Sequence, residues 1–228
     1  MSRELYPALS GAFGAWRQLE VIANNIANAQ TTGYKAERVA FEAHGPRSAY
    51  ARIADGLVDQ STGAPSRTDD PLHVALQGPG FFVVEATGEQ PWLTRDGQLH
   101  LDPRDGTLRT PAGHLVQGAD GPIEVPPGER ARIEADGTVV ASESGVVGKL
   151  RVVVANVEPL GGNLWRPLAP MVEQDAVLVP GSIEQSNVDP MRSMVDLIAA
   201  SRTFEVVQNV LRTSDELDAR LNEFGRGA

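Results

Sequence analysis

The chain has 228 residues, room for one domain or two small ones, and 41% of them are hydrophobic, enough to build a core. Its formal net charge of −10 argues against nucleic acid or an anionic membrane surface as the main partner. Cysteine is absent, which excludes disulfides, thiolate catalysis and cysteine-based zinc sites.

The first element is a long amphipathic helix expected from Pro7 to Ala29. Leu9, Ala12, Trp16, Leu19, Ala23 and Ile26 recur at alternating steps of three and four, the seam spacing of a coiled coil. Pro7 suits a first helical turn, and Gly33 can stop the helix just past the periodic run. Gly11 and Gly14 each cost about 1 kcal/mol in a helix interior, so they suggest close backbone approach by a neighbour. Asn24, Asn25 and Asn28 are poor helix formers. They fit either a fraying end running into Thr31-Thr32-Gly33, or amides that hydrogen-bond neighbouring chains in a packed bundle.

Residues 41–70 are rich in Ala, Gly, Ser, Arg and Asp without a sustained period, and are read as an extended connector. From Pro71 the pattern is that of short strands. Leu72–Leu76 alternates, Gly78-Pro79-Gly80 is a turn, and Phe81–Val84 is a buried-strand run. Asp-Gly pairs at 96–97, 105–106, 120–121 and 136–137 read as hairpin turns between apolar stretches. Leu150–Val157 is a β-branched strand. Together these predict a small irregular antiparallel barrel or sandwich.

The last element is a second long helix. Asp189 is its N-cap candidate, Pro190 its N1 residue, and Gly225 its expected stop. Met194, Leu197, Phe204, Val207, Leu211, Leu217 and Leu221 follow at helical spacing. Met191, Val195, Ile198, Val206 and Val210 put apolar groups on a further face. One apolar stripe suffices for docking on a single domain; two faces imply burial from several sides. The two helices either pair with each other or build a shared core with copies or relatives of the chain.

The expected fold class is therefore α+β: long N- and C-terminal helices forming a coiled-coil-like arm, with an inserted antiparallel all-β domain. The segments are an N-terminal arm 1–40, a connector 41–70, a β domain 71–180 and a C-terminal arm 181–228. The candidate assembly interface is Leu9, Ala12, Trp16, Leu19, Ala23, Asn24, Asn25, Ile26 and Asn28 on the first arm and the seven residues from Met194 to Leu221 on the second. No apolar run approaches the roughly 18 residues of a bilayer span, and neither helix carries a basic polar face. The N-terminus lacks the charged and apolar regions of a signal peptide, so classical secretion is not expected.

Catalytic chemistry finds little support. His44, His73, His100 and His114 show no short metal-ligand spacing, and His73 and His100 fit local pairing on a strand. Gln77–Phe82 lacks the lysine and following helix of a phosphate loop. Ser61-Thr62-Gly63 and Asp69-Asp70 have no nucleophile elbow or second acidic pair nearby. No cofactor site and no enzyme activity are expected.

The stretch Ala23-Asn24-Asn25-Ile26-Ala27-Asn28, followed by Thr31-Thr32-Gly33-Tyr34-Lys35, resembles the N-terminal signature of bacterial flagellar rod and hook proteins: A-N-N-[LI]-A-N, then T-x-G-[FY]-K. Leu76–Phe82 is similar to the family's L-x-G-x-G-F-F strand, and Thr94-Arg95-Asp96-Gly97 through Gly113–Gly118 to its T-R-x-G run. Ser186-Asn187-Val188 and Arg202-Thr203-Phe204-Glu205 match its S-N-V and R-x-[FY]-E elements. Pro190-Met191-Arg192-Ser193 departs from the acidic residues usual after S-N-V. The resemblance implies an axial subunit of the basal-body rod in the periplasm. It would assemble helically with copies of itself and with other rod proteins around an export channel, and be delivered by the flagellar type III export apparatus. Chain length favours the proximal-rod type, with the distal rod as the alternative. A peptide-binding β module that captures a strand at a sheet edge is the competing reading from outside the family.

Overall fold

The computed structural model describes residues 5–43, 51–85 and 91–226, with the side chains of 5–8, 41–43, 51–56, 214–215 and 217–226 outside that description. His44 therefore lies outside the described residues, as do the side chains of Leu217 and Leu221. The contacts divide the chain into two compact units. One comprises Met1–Ala27, Glu37–Leu57 and Asp189–Ala228; the other comprises Asn28–Ala36 and Val58–Val188.

The first unit holds helix α1 (Leu5–Ala27), strands β1 (Glu37–Ala43) and β2 (Ala51–Val58), and helix α2 (Pro190–Arg226). The helix α1 packs against α2 and against β1, and β1 pairs with β2. At the start of α2, Asp189 Oδ1 accepts from the N–H groups of Met191 (3.0 Å) and Arg192 (3.2 Å), satisfying two of the donors a helix start leaves open. Gly225 does not end α2, which continues through it to Arg226. A glycine in a last turn weakens a helix without obliging it to stop.

The second unit carries β3 (Pro65–Arg67), β4 (Val74–Gln77), β5 (Phe81–Val84), β6 (Trp92–Thr94), β7 (His100–Leu101), β8 (Leu108–Arg109), β9 (Ala131–Ile133), β10 (Thr138–Ala141), β11 (Gly145–Lys149) and β12 (Val152–Val154). It continues with β13 (Val157–Gly161), β14 (Leu164–Pro167), β15 (Val172–Glu173), β16 (Val177–Pro180) and β17 (Ser182–Glu184). A six-stranded sheet runs in the order β13-β14-β6-β5-β12-β15, a three-stranded sheet is ordered β11-β10-β9, and β16-β4, β17-β3 and β7-β8 form pairs. The registered pairs are antiparallel.

Alternation fails where a strand is covered on both faces. On β5, Phe82 and Val84 point into a large cluster with Val74, Leu76, Leu99, Leu108, Val116, Ile133, Val139 and Leu178. Phe81 and Val83 enter a second cluster with Leu93, Val153, Ala155 and Trp165. All four residues of β5 are buried, as an unbroken apolar run implies. On β4 the alternation expected over Leu72–Leu76 does not carry into burial, because Val74, Ala75 and Leu76 are all covered.

Two Asp-Gly turns close hairpins as expected. Asp105 lies between β7 and β8 and accepts the Thr107 N–H; Asp136 lies between β9 and β10 and accepts the Thr138 N–H, both at 3.0 Å. Asp96-Gly97 does not join neighbouring strands: β6 pairs with β5 and β14, and the Gly97 carbonyl accepts the Val74 N–H at 3.0 Å. Among the described residues of 41–70, β2 pairs with β1 and β3 pairs with β17, so parts of the expected connector are strands.

Candidate functional site

Each terminal helix has a covered line and an uncovered one. On α1 the covered residues are Gly14, Ala15, Val21 and Asn25, with Ala12, Leu19, Ile22 and Ile26 half-buried, and Asn28 just past its end is half-buried too. On α2 Ala200 is buried and Leu197, Phe204, Val207 and Leu211 are half-buried, the five spaced by alternating threes and fours. Thus Ala12, Leu19, Asn25, Ile26, Asn28, Leu197, Phe204, Val207 and Leu211 of the expected interface are wholly or partly covered inside one copy of the chain.

Other residues of that seam face out. Leu9, Ala23 and Asn24 are exposed, and Trp16 keeps 53% of its surface open. Phe13, which the spacing argument passed over, joins Leu9 and Trp16 at steps of four and three and is 58% exposed. On α2, Met191, Met194, Val195, Ile198, Val206 and Val210 are all exposed. Large apolar side chains gathered on a helix face, rather than scattered singly, mark an interaction surface.

The three asparagines separate. Asn25 is buried, and its amide closes a two-bond bridge to one peptide unit: Nδ2 donates to the Glu37 carbonyl (2.8 Å) and Oδ1 accepts the Glu37 N–H (2.9 Å). It ties the end of α1 to the start of β1. Asn28 takes part in the turn that follows α1, accepting from the Thr31 hydroxyl at 3.1 Å. Burial pushes the Glu37 carboxyl above its usual range, with Arg17 opposing the shift and Glu20 reinforcing it.

The structure also contains a polar centre that the sequence did not single out. Lys35, Arg95 and Glu184 are buried together in the second unit with almost no exposed surface. Lys35 Nζ lies 2.6 Å from Glu184 Oε1 and donates to the Ser61 carbonyl at 2.6 Å. The Gly63 N–H donates to the same Glu184 oxygen at 2.8 Å. Arg95 Nε sits 3.4 Å from Glu184 Oε2, its NH2 donates to the Gly78 carbonyl, and its guanidinium lies 5.9 Å from the centre of the Phe81 ring. Burial lowers the pKa of Lys35, against the hydrogen bond and charge of Glu184, and burial likewise lowers Arg95.

Asn187 extends this centre. Its Oδ1 accepts the Ala36 N–H (2.7 Å), and its Nδ2 donates to the carbonyls of Asp59 (2.8 Å) and Ser61 (3.1 Å). Glycine is required at two points. Gly33 has φ +69°, and a Cβ there would lie 2.5 Å from the Arg95 carbonyl oxygen. At Gly63 a Cβ would lie 1.8 Å from the Gln185 oxygen. Lys35, Arg95 and Asn187 all belong to motifs quoted above, and the structure brings those motifs to one place. No local pattern could have announced this, because the partners are far apart in the chain.

Two of the described histidines make local contacts. His73 Nδ1 lies 2.9 Å from the Thr68 hydroxyl, and His114 packs edge-on to Trp92. No group of three or more metal-binding side chains gathers among the described residues.

Three family models match the chain: "Flagella basal body rod protein" over residues 5–35, "Flagellar hook protein FlgE/F/G D1 domain" over 75–141, and "Flagellar basal body rod FlgEFG protein C-terminal" over 179–224. The chain is 35% identical to the flagellar basal-body rod protein FlgF of Salmonella typhimurium, over 98% of each chain. It is 32% identical to FlgF of Escherichia coli, also over 98% of each, and 30% identical to the rod protein FlgG of Bacillus subtilis over 95% of this chain and 97% of that one. With matches running from the first helix to the last and likeness across nearly the full length of its relatives, the chain belongs to the flagellar basal-body rod protein family.

Proposed function

We propose that the chain is a proximal-rod subunit that assembles helically, with copies of itself and with other rod proteins, through its two terminal arms. Membership of the family makes it a structural protein of the flagellar basal body that serves motility, and not an enzyme. The finer reading rests on one observation: α1 and α2 each present an apolar stripe, Leu9-Phe13-Trp16 and Met191-Val195-Ile198, that one copy leaves open. A heterologous contact that does not close into a ring generates a helical filament.

In that filament the arms, residues 1–40 and 181–228, supply cohesion and the β domain stays outside. The interface comprises the exposed seam residues Leu9, Trp16, Ala23, Asn24 and Met194, together with Leu217 and Leu221 further along α2. Ala12, Leu19, Ile26, Leu197, Phe204, Val207 and Leu211 support it from the covered sides of the helices in a coiled-coil-like arm. The assembled rod carries torque through the periplasm around an export channel, and the type III export apparatus delivers its subunits. Likeness to the FlgF proteins over nearly full length favours the proximal level. Likeness to FlgG proteins keeps a distal-rod subunit as the second reading.

The test is deletion of residues 5–27 from the chromosomal copy. The expected result is loss of swimming and loss of the chain from purified basal bodies. Wild-type swimming would overturn the reading. Crosslinking Trp16→Cys to neighbours in basal bodies would then assign the level from the partners captured.

A further inference from the structure

The chain passes between its two units four times, after Ala27, Ala36, Leu57 and Val188. Three of those passages adjoin segments of the β unit held in one place: 33–36, 59–64 and 184–188. We propose that Lys35, Arg95, Glu184 and Asn187 form a clasp that makes these three segments open and close as a single element, separate from the opening of the β core. The clasp stands on the geometry of one chain, and its test does not depend on the rod reading.

The connections are reciprocal. Segment 33–36 reaches segment 184–188 through Gly33 N–H to Glu184 O (2.7 Å), Asn187 N–H to Tyr34 O (3.3 Å) and Ala36 N–H to Asn187 Oδ1 (2.7 Å). It reaches segment 59–64 through Asp59 N–H to Ala36 O (2.8 Å) and Lys35 Nζ to Ser61 O (2.6 Å). Segment 59–64 reaches segment 184–188 through Gln185 N–H to Ala64 O (3.0 Å) and Gly63 N–H to Glu184 Oε1 (2.8 Å). No pair of segments is joined without the third being joined to both.

Burial makes the arrangement cooperative. Lys35 and Glu184 share one contact in which each satisfies the other's charge, and Arg95 is the second cation against the same carboxylate. A buried charge that loses one partner weakens every remaining bond of the group, because the low dielectric that strengthens a complete network penalises a broken one. Close packing at Gly33 and Gly63 leaves no room for the segments to slide past one another. Of these four side chains only Arg95 reaches a core cluster, lying over the Phe81 ring beside Val153, and none of the four hydrogen-bonds the backbone of Val83 or Val116.

The experiment is residue-resolved amide exchange on the full chain carrying Asn187→Ala, with Lys35→Met as a second variant. Asn187→Ala leaves no buried charge behind, so its result decides the matter even where Lys35→Met fails to fold. The reporters are Gly33, Gly63 and Gln185, whose N–H groups do not bond to the Asn187 side chain. The expected result is an exchange rate raised about tenfold at all three, the scale of the hydrogen bonds lost, with Val83 and Val116 in the core unchanged. A rise confined to Ala36, whose N–H loses its acceptor directly, would overturn the clasp. So would an equal rise at Val83 and Val116, which would mean that the segments open only with the whole unit.

Discussion

Lys35 Nζ and Glu184 Oε1 lie 2.6 Å apart although 149 residues separate them in the chain. With Arg95 on the other oxygen, one carboxylate faces two cations in a site from which water is excluded. The arithmetic of charge ranks the substitutions. Glu184→Gln strands two buried cations, whereas Lys35→Met leaves Arg95 and Glu184 as a neutral pair. Breaking a buried pair by removing one partner costs about 3–5 kcal/mol. Glu184→Gln is expected to reach that range in urea or thermal unfolding of the isolated chain, and Lys35→Met to fall below it. Equal losses, or the reverse order, would show that the two cations do not share the carboxylate.

Trp16→Ala tests the outward stripe. A large aromatic deleted from a core typically costs about 3–5 kcal/mol, but Trp16 is 53% exposed in one copy. The isolated chain should therefore lose little, within about 1 kcal/mol, the scale of changes away from a core. Swimming and rod assembly should fail. A large drop in the melting temperature of the monomer would place Trp16 in an internal contact instead; normal swimming would remove it from the interface.

How far these features could be read in advance depends on the distance over which their causes act. The helices, the Asp189 cap and the hairpins at Asp105 and Asp136 are set by neighbours within a few residues, so spacing and turn chemistry reveal them. Burial of both faces of β5 is legible as an unbroken Phe-Phe-Val-Val run. The Asp96-Gly97 turn misleads because its carbonyl serves β4, more than twenty residues earlier, and no local rule encodes that. The clasp is the extreme case. Lys35, Arg95 and Glu184 are each an ordinary charged residue until folding buries them together. The apolar faces of the two helices are legible only in part: periodicity finds an apolar face, but it cannot say whether the chain's own second helix or another copy covers it. Phe13 was passed over for that reason, since it lies between the steps chosen for the seam.

Asn25 gives a test of the signature's internal role. Its amide both donates to and accepts from Glu37, a pairing that a carboxylate cannot reproduce because it has no proton to give. Asn25→Asp should therefore be at least as damaging as Asn25→Ala, with each costing about 1–3 kcal/mol for the buried groups left unpaired. Thermal unfolding of both variants checks this. A harmless Asn25→Asp would mean that the bridge to the Glu37 carbonyl contributes nothing.

The loops of the β unit should be sensitive to acid. The Asp105 carboxyl is lowered from 3.8 to about 2, chiefly by the Thr107 hydroxyl and backbone N–H. Hydrogen bonds from Thr138 lower Asp136, and those from Ser144 and Glu143 lower Glu129 from its ordinary 4.5. A carboxyl that titrates lower when folded adds stability that is complete above its unfolded pKa and disappears as pH falls through its folded one. Stability should accordingly decline between about pH 4.5 and pH 2. The Asp105→Asn variant should lose less across that window than the parent chain, measured by chemical denaturation at a series of pH values. Parallel slopes for the two chains would exclude Asp105 as a contributor.

Gly11 separates what a single copy needs from what an assembly needs. It lies in α1, it is exposed, and a Cβ placed on it would meet nothing within 4 Å. Within one chain, alanine there should simply be the better helix former, adding about 1 kcal/mol. A glycine kept at that cost on the same helix as Leu9, Phe13 and Trp16 is accounted for if a neighbouring subunit's backbone comes close. Gly11→Ala should then yield a more stable monomer, visible as a higher helix content and melting temperature, together with impaired rod assembly and poor swimming. A larger side chain, in Gly11→Val, should abolish swimming outright. If both variants swim normally, no neighbour approaches α1 at Gly11, and the assembling face must lie further around the helix.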